Sequence, residues 1–148
     1  MNAHLARFLA VAALAAVAFT RSADANAPAG RYTTSGGTVY DTKTKLTWQQ
    51  AVASGTYTWA AAKTYCAGLN LGGTGWRLPT AKELQTIVDD SQSNPSIDTT
   101  AFPSTPAQSF WSSSPLAGSS SNAWLVDFSF GYTNNNDVSS ASLVRCVR

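Results

Sequence analysis

The ten residues Gly75-Trp76-Arg77-Leu78-Pro79-Thr80-Ala81-Lys82-Glu83-Leu84 constrain the fold of this chain more than any other stretch. Trp76 and Leu78 alternate with Arg77, the period-two pattern of a short extended segment with one buried side. Pro79 fixes φ and removes a backbone donor, so that segment cannot continue as a paired strand. Thr80, with Glu83 three residues on, has the spacing of a capping box. The spacing predicts a helix over residues 81–88, with Leu84, Ile87 and Val88 as its apolar stripe. Trp76, Arg77, Thr80 and Glu83 are therefore assigned to structure, Glu83 to capping or to pairing with Arg77.

Residues 1–25 read as a secretory signal peptide. His4 and Arg7 give a basic start, residues 5–19 are almost wholly apolar, and Ala23-Asp24-Ala25 offers small residues for cleavage. Ala25-Asn26-Ala27 is a second cleavage site, and an uncleaved anchor is the rival reading. The apolar run is about a dozen residues, short of the roughly 20 that a membrane span needs. Secretion or a periplasmic location is expected, with no stable span after cleavage. Residues 26–37, rich in Ala, Pro, Gly, Ser and Thr, are expected to form a flexible leader. Residues 38–148 then make one domain, long enough to bury a sizeable core. Lys and Arg are scattered and the net charge is only +2, which argues against nucleic acid or an anionic bilayer as partner.

Cys66 and Cys146 are the only cysteines. In an exported chain an even count implies a disulfide, and two cysteines allow one connectivity. A reactive thiol is the alternative. A bridge would tie the first helix to the last strand. That helix is read from Trp59, Ala62, Cys66 and Leu69, which recur at three- and four-residue steps after Thr58 as N-cap.

Ahead of it, residues 38–41 and 46–49 form a hairpin that buries Val39 and Trp48. Residues 91–108 form a long loop pinned by Ile97 and Phe102. Strands follow at residues 109–112 and 123–130, then a turn at 131–136 and a closing strand at 142–148. The class is α+β: two helices packed on short antiparallel sheets with long loops, the N- and C-terminal strands close together.

The ordered set of motifs resembles the Lcl C-terminal domain-like family, an exported bacterial domain named for a collagen-like adhesin. The matching pieces are Asp41-Thr42-Lys43-Thr44-Lys45-Leu46-Thr47-Trp48, Trp59-Ala60-Ala61-Ala62 leading to Tyr65-Cys66, and Trp76-Arg77-Leu78-Pro79-Thr80 with Glu83-Leu84. Phe110-Trp111-Ser112-Ser113, Ala123-Trp124 through Phe128, and Val144-Arg145-Cys146-Val147-Arg148 complete it. The resemblance implies a C-type-lectin-like fold, shared with the formylglycine-generating enzymes, in which a first-helix cysteine is bridged to a last-strand cysteine. It also implies an adhesin-like binder of sulfated polysaccharides. This chain has neither a collagen-like region nor a strongly basic face to match that ligand.

The only histidine, His4, lies in the expected signal peptide, which removes Ser–His and Cys–His pairs and His-based zinc sites from the mature chain. With both cysteines assigned to a bridge, formylglycine chemistry does not carry over. An enzyme would have to rest on carboxylates: Asp41, Glu83, Asp89, Asp90, Asp98, Asp127 and Asp137. A glycosidase needs two of them roughly 5–9 Å apart, and Asp127 and Asp137 could approach across the final hairpin; two solvated loop carboxylates is the bland alternative. Asn94-Pro95-Ser96 departs from the tripeptide that true C-type lectins use for calcium, and residues 134–137 offer oxygen ligands but read as a polar turn. No metal and no cofactor are expected.

A binding surface is the better-supported expectation. Trp111, Trp124, Tyr132, Asn134, Asn135, Asn136 and Asp137 combine aromatic faces with amides that can stack on and hydrogen-bond a sugar or peptide. Trp111 and Trp124 have a competing core assignment, and Arg77 and Arg145 are read as buried ion-pair or backbone-binding residues. The expected function is a non-catalytic exported recognition module for an extracellular glycan or surface protein. Alternatives are a displayed variable receptor-binding protein of the same fold, a carboxylate-based hydrolase, and an envelope structural protein.

Overall fold

Thr80 and Glu83 form the expected box. The Glu83 N–H donates to the Thr80 hydroxyl at 3.2 Å and the Thr80 N–H to the Glu83 carboxylate at 2.8 Å. In the computed structural model, which describes residues 28–148, this starts helix α2 (Ala81–Gln85). The helix is shorter than the predicted 81–88, because the Thr86 hydroxyl and N–H both turn back to the Glu83 carbonyl and close it. Ile87 is still buried, on the turn that follows. Helix α1 (Trp59–Gly68) begins at Thr58 as expected and buries Ala62 and Cys66.

Two antiparallel three-stranded sheets complete the fold. The first, in the order β1-β2-β3, is made of β1 (Tyr32–Ser35), β2 (Thr38–Asp41) and β3 (Thr47–Gln49). The second, in the order β4-β5-β6, contains β4 (Ser109–Pro115), β5 (Asn122–Asp127) and β6 (Tyr132–Asp137). The expectation of a flexible leader over 26–37 is corrected for its described part, since Tyr32–Ser35 pairs with β2. Arg31 fastens it: the guanidinium meets the fully buried Asp41 carboxylate at 2.8 Å and also donates to the Thr86 carbonyl. The expected signal peptide lies outside the described residues.

A second correction concerns residues 131–136, predicted as a turn. The turn sits earlier, at residues 128–131, and the asparagines form edge strand β6, paired with β5. Gly131 makes this possible. At φ +78° it sits against Val88, whose Cγ1 would lie 2.6 Å from any Cβ placed there.

Two apolar clusters flank the second sheet. Phe110 and Val126 face a cluster with Val39, Trp48, Leu84 and Phe102, whereas Trp111, Ala123 and Leu125 face one with Ala62, Cys66 and Trp76. Residues 142–148, predicted as the closing strand, close both clusters through isolated bridges. Val147 pairs with Trp48 of β3 on one side and Arg77 on the other, and Leu143 pairs with Phe110. The N-terminal hairpin and the closing segment are thus neighbours, as expected. The Cys66–Cys146 disulfide joins α1 to this segment across 80 residues.

The two structural arginines divide the roles expected of both. Arg145 is fully buried without a carboxylate; its Nη2 donates to the Gln50 carbonyl and the Thr105 hydroxyl, and its guanidinium lies 4.7 Å from the Phe102 ring. Burial pulls its pKa down to about 9. Arg77 is an ion-pair residue but an exposed one, donating to both Glu83 oxygens at 2.7 and 2.6 Å. Arg77, followed by the Thr80 N–H, holds Glu83 down to about 2 from its ordinary 4.5. The folded pKa is the lower one, so this stabilisation is complete above pH 4.5 and disappears as pH falls towards 2. The Arg77 side chain is 48% exposed, which keeps the ion pair's share small. Glu83→Gln is expected to cost about 1 kcal/mol at neutral pH, most of it capping. It should also flatten the fall in urea midpoint between pH 4.5 and 2; an unchanged acid profile would refute the assignment.

Candidate polar cleft on the second sheet

Register decides which expected site residues meet. Ser109, Asp127 and Tyr132 form one cross-strand row; Trp111, Leu125 and Asn134 form a second, and Ala123 with Asn136 a third. Side chains alternate along a strand, so these rows share one face of the sheet. Trp124 and Asn135 pair on the opposite face, as do Asn122 and Asp137.

The shared face opens into a polar cleft of about 540 Å³. Gln108, Ser109, Asp127, Asn134 and Asn136 line it, with Thr56 and Ser142 on the far wall beside the Tyr57–Ser142 bridge. Asn135 also borders the cleft. Tyr132, half exposed, flanks Asp127 at one end. Trp111 does not take part as a ligand contact: it is fully buried in the α1 cluster, and its Nε1 donates to the Tyr57 carbonyl at 2.8 Å. Trp124 is half-buried on the other face. Asp137 stands apart from the cleft, exposed, accepting from the Ser139 N–H and hydroxyl.

Among the described residues, Asp127 is the only charged side chain lining the cleft. One carboxylate oxygen accepts from the Ser109 hydroxyl at 2.8 Å, the other from the Ser129 N–H at 2.7 Å. Burial pushes its carboxyl up, but these bonds outweigh burial and hold it below the ordinary carboxylate value. Asp127 and Asp137 cannot act as a hydrolytic pair. They sit at opposite ends of the β5–β6 ladder, five residues and roughly 17 Å apart, on opposite faces. That separation exceeds the range either glycosidase geometry requires. Asn134 and Asn136 each use their side-chain oxygen to accept the next residue's N–H. Among the described residues no group of three or more acidic, His or Cys side chains is placed to hold a metal.

Gln108, Ser109, Thr56 and Ser142 were not anticipated from the sequence. Counting by twos back from Trp111 puts Ser109 on the same face, which is the one local signal for it. The pairing with Asp127 depends on the β4–β5 register and has no local signature.

A disulfide-bridged α+β domain with an open, hydroxyl- and amide-lined cleft is thus the class of protein in hand. The family model described as the Lcl C-terminal domain matches residues 37–148, and the chain belongs to that family. No curated protein matched the sequence.

Proposed function

We propose that this chain is a non-catalytic, exported recognition module of C-type-lectin-like fold that binds a glycan in the cleft on the second sheet. The observation that carries the reading is the cleft's lining, which among the described residues presents amides and hydroxyls and a single carboxylate. Such groups both donate to and accept from sugar hydroxyls, and the exposed Tyr132 ring at the cleft's end suits stacking on a sugar face. Export is supported by the Cys66–Cys146 bridge, a bond that persists in oxidising compartments. The lectin-like fold is supported by the same bridge, which links the first helix to the closing segment, and by the short sheets between long loops.

A protein ligand is the second reading, favoured by β6 itself. It is an exposed edge strand, and such edges accept an added strand. Calorimetric titration of the oxidised protein against a glycan panel, with calcium and with a chelator, separates the two. Saturable, chelator-resistant binding is expected, weakened about tenfold or more by Asn134→Ala with Asn136→Ala, as loss of one or two good hydrogen bonds implies. Tyr132→Ala should weaken it also, and Trp124→Ala, on the other face, should not. An empty panel together with a cross-linked protein partner at β6 would replace the glycan reading by the second one.

A further inference from the structure

Both ion pairs among the described residues, Arg31–Asp41 and Arg77–Glu83, lie away from the cleft. Asp127 has no basic partner there, although it is half-buried. Its two oxygens are oriented by Ser109 and Ser129, and each retains capacity to accept a further hydrogen bond. The bonds that orient it also keep it ionised, so the cleft holds one fixed negative charge and no described lysine or arginine lines it.

We infer that the glycan taken by this cleft bears a free amine, and that Asp127 selects it by pairing with the ammonium group. The inference rests on the glycan reading above and adds the ligand's charge to it. An ammonium group supplies the donor that a hydrogen-bonded carboxylate lacks, and charge-assisted bonds of this kind are the strong ones. Tyr132, half exposed and next to Asp127 in the same row, is an aromatic side chain of the kind that attracts a cation. Asn134 and Asn136 follow on that face at steps of about 7 Å, so a sugar over Asp127 leaves its neighbours in the oligosaccharide over the amides. A sulfated or carboxylated glycan would meet like charge at Asp127, with no described lysine or arginine lining the cleft to offset it. A calcium ion fits less well, since it takes six to eight oxygens and two of the available amide oxygens are already engaged.

The test titrates the oxidised protein at low ionic strength with four probes: a β-1,4-linked glucosamine hexamer, its fully N-acetylated counterpart, a dextran sulfate fragment and hexalysine. The glucosamine hexamer is expected to bind about tenfold or more tightly than the acetylated one, the step that a charged hydrogen bond contributes. Raising the pH until the sugar amines are neutral should remove the difference on the unaltered protein. Asp127→Asn should remove it too, whereas Trp124→Ala, on the opposite face of the sheet, should keep it. Equal binding of the two hexamers, both lost with Asn134→Ala and Asn136→Ala, would overturn the amine inference and leave the cleft reading standing. Hexalysine bound as tightly as the glucosamine hexamer would also overturn it, because charge alone would then be read. Failure of every glycan would remove both readings together.

Discussion

Replacing Cys66 and Cys146 together by alanine is expected to lower stability by about 4 kcal/mol, the chain-entropy value for a closed loop of 80 residues. For a domain of this size that corresponds to a drop in Tm of roughly 15 °C. The loss should be this large because the bridge restrains the unfolded chain over a long loop, while the native packing it adds to is modest, Ala62 and Cys66 meeting Val144 and Cys146 in one cluster. The α1 helix contributes only Ala62 and Cys66 as fully buried side chains, and Cys146 lies on a segment held by isolated bridges instead of a continuous ladder. Alanine leaves neither a free thiol nor a buried hydroxyl, and the reduced parent, which keeps both buried sulfurs, separates the covalent link from the lost packing. Thermal unfolding of the oxidised parent, the reduced parent and the double variant provides the check. A double variant that melts with the oxidised parent would show that packing alone holds α1.

The second large effect belongs to Asp41. Its carboxylate is fully buried and bonded to Arg31 through both oxygens, with a further bond from the Lys43 N–H. Burial pushes its pKa up, but the Arg31 guanidinium overcomes this and leaves it lowered. Asp41→Asn is expected to cost about 3–5 kcal/mol, because it strands a largely buried guanidinium without its counter-charge. Replacing both partners, Arg31→Met with Asp41→Leu, should return most of that loss, since an apolar pair of similar volume removes two desolvated charges at once. Chemical denaturation of the three proteins decides it. Equal losses in the single and double variants would mean that the stranded guanidinium is not what the single change costs, and a small loss in the single with a large one in the double would put the weight on Arg31's bond to the Thr86 carbonyl.

Arg31 also shows why part of the fold escaped the sequence. The capping box, the first hairpin and the helical spacing around Cys66 are signals carried within three or four residues, and each gave its element, although α2 stops three residues short of the predicted end. Tyr32-Thr33-Thr34-Ser35 has no apolar alternation, and it becomes a strand only because β2 and Asp41 hold it from ten residues away. Tyr132-Thr133-Asn134-Asn135-Asn136-Asp137 is made mostly of residues depleted in strands, and reads locally as a turn. It becomes a strand because β5 offers a full partner and Gly131 lets the chain lean on Val88. The candidate site follows the same division. Its asparagines were visible as a cluster of amides, but Ser109 and Asp127 join them through sheet register, which fixes parity across strands far apart in the chain.

The closing segment carries a consequence for how the molecule comes apart. Val147 exchanges main-chain bonds with Arg77, its neighbours Cys146 and Arg148 bond to Gln49 and Thr47, and Val144 lies in one apolar cluster while Val147 lies in the other. Neither cluster can open without releasing this thread, and releasing it opens both. The two sheets therefore behave as a single cooperative unit. Unfolding is expected to be a single transition, with the release of residues 142–148 as the step that both halves share.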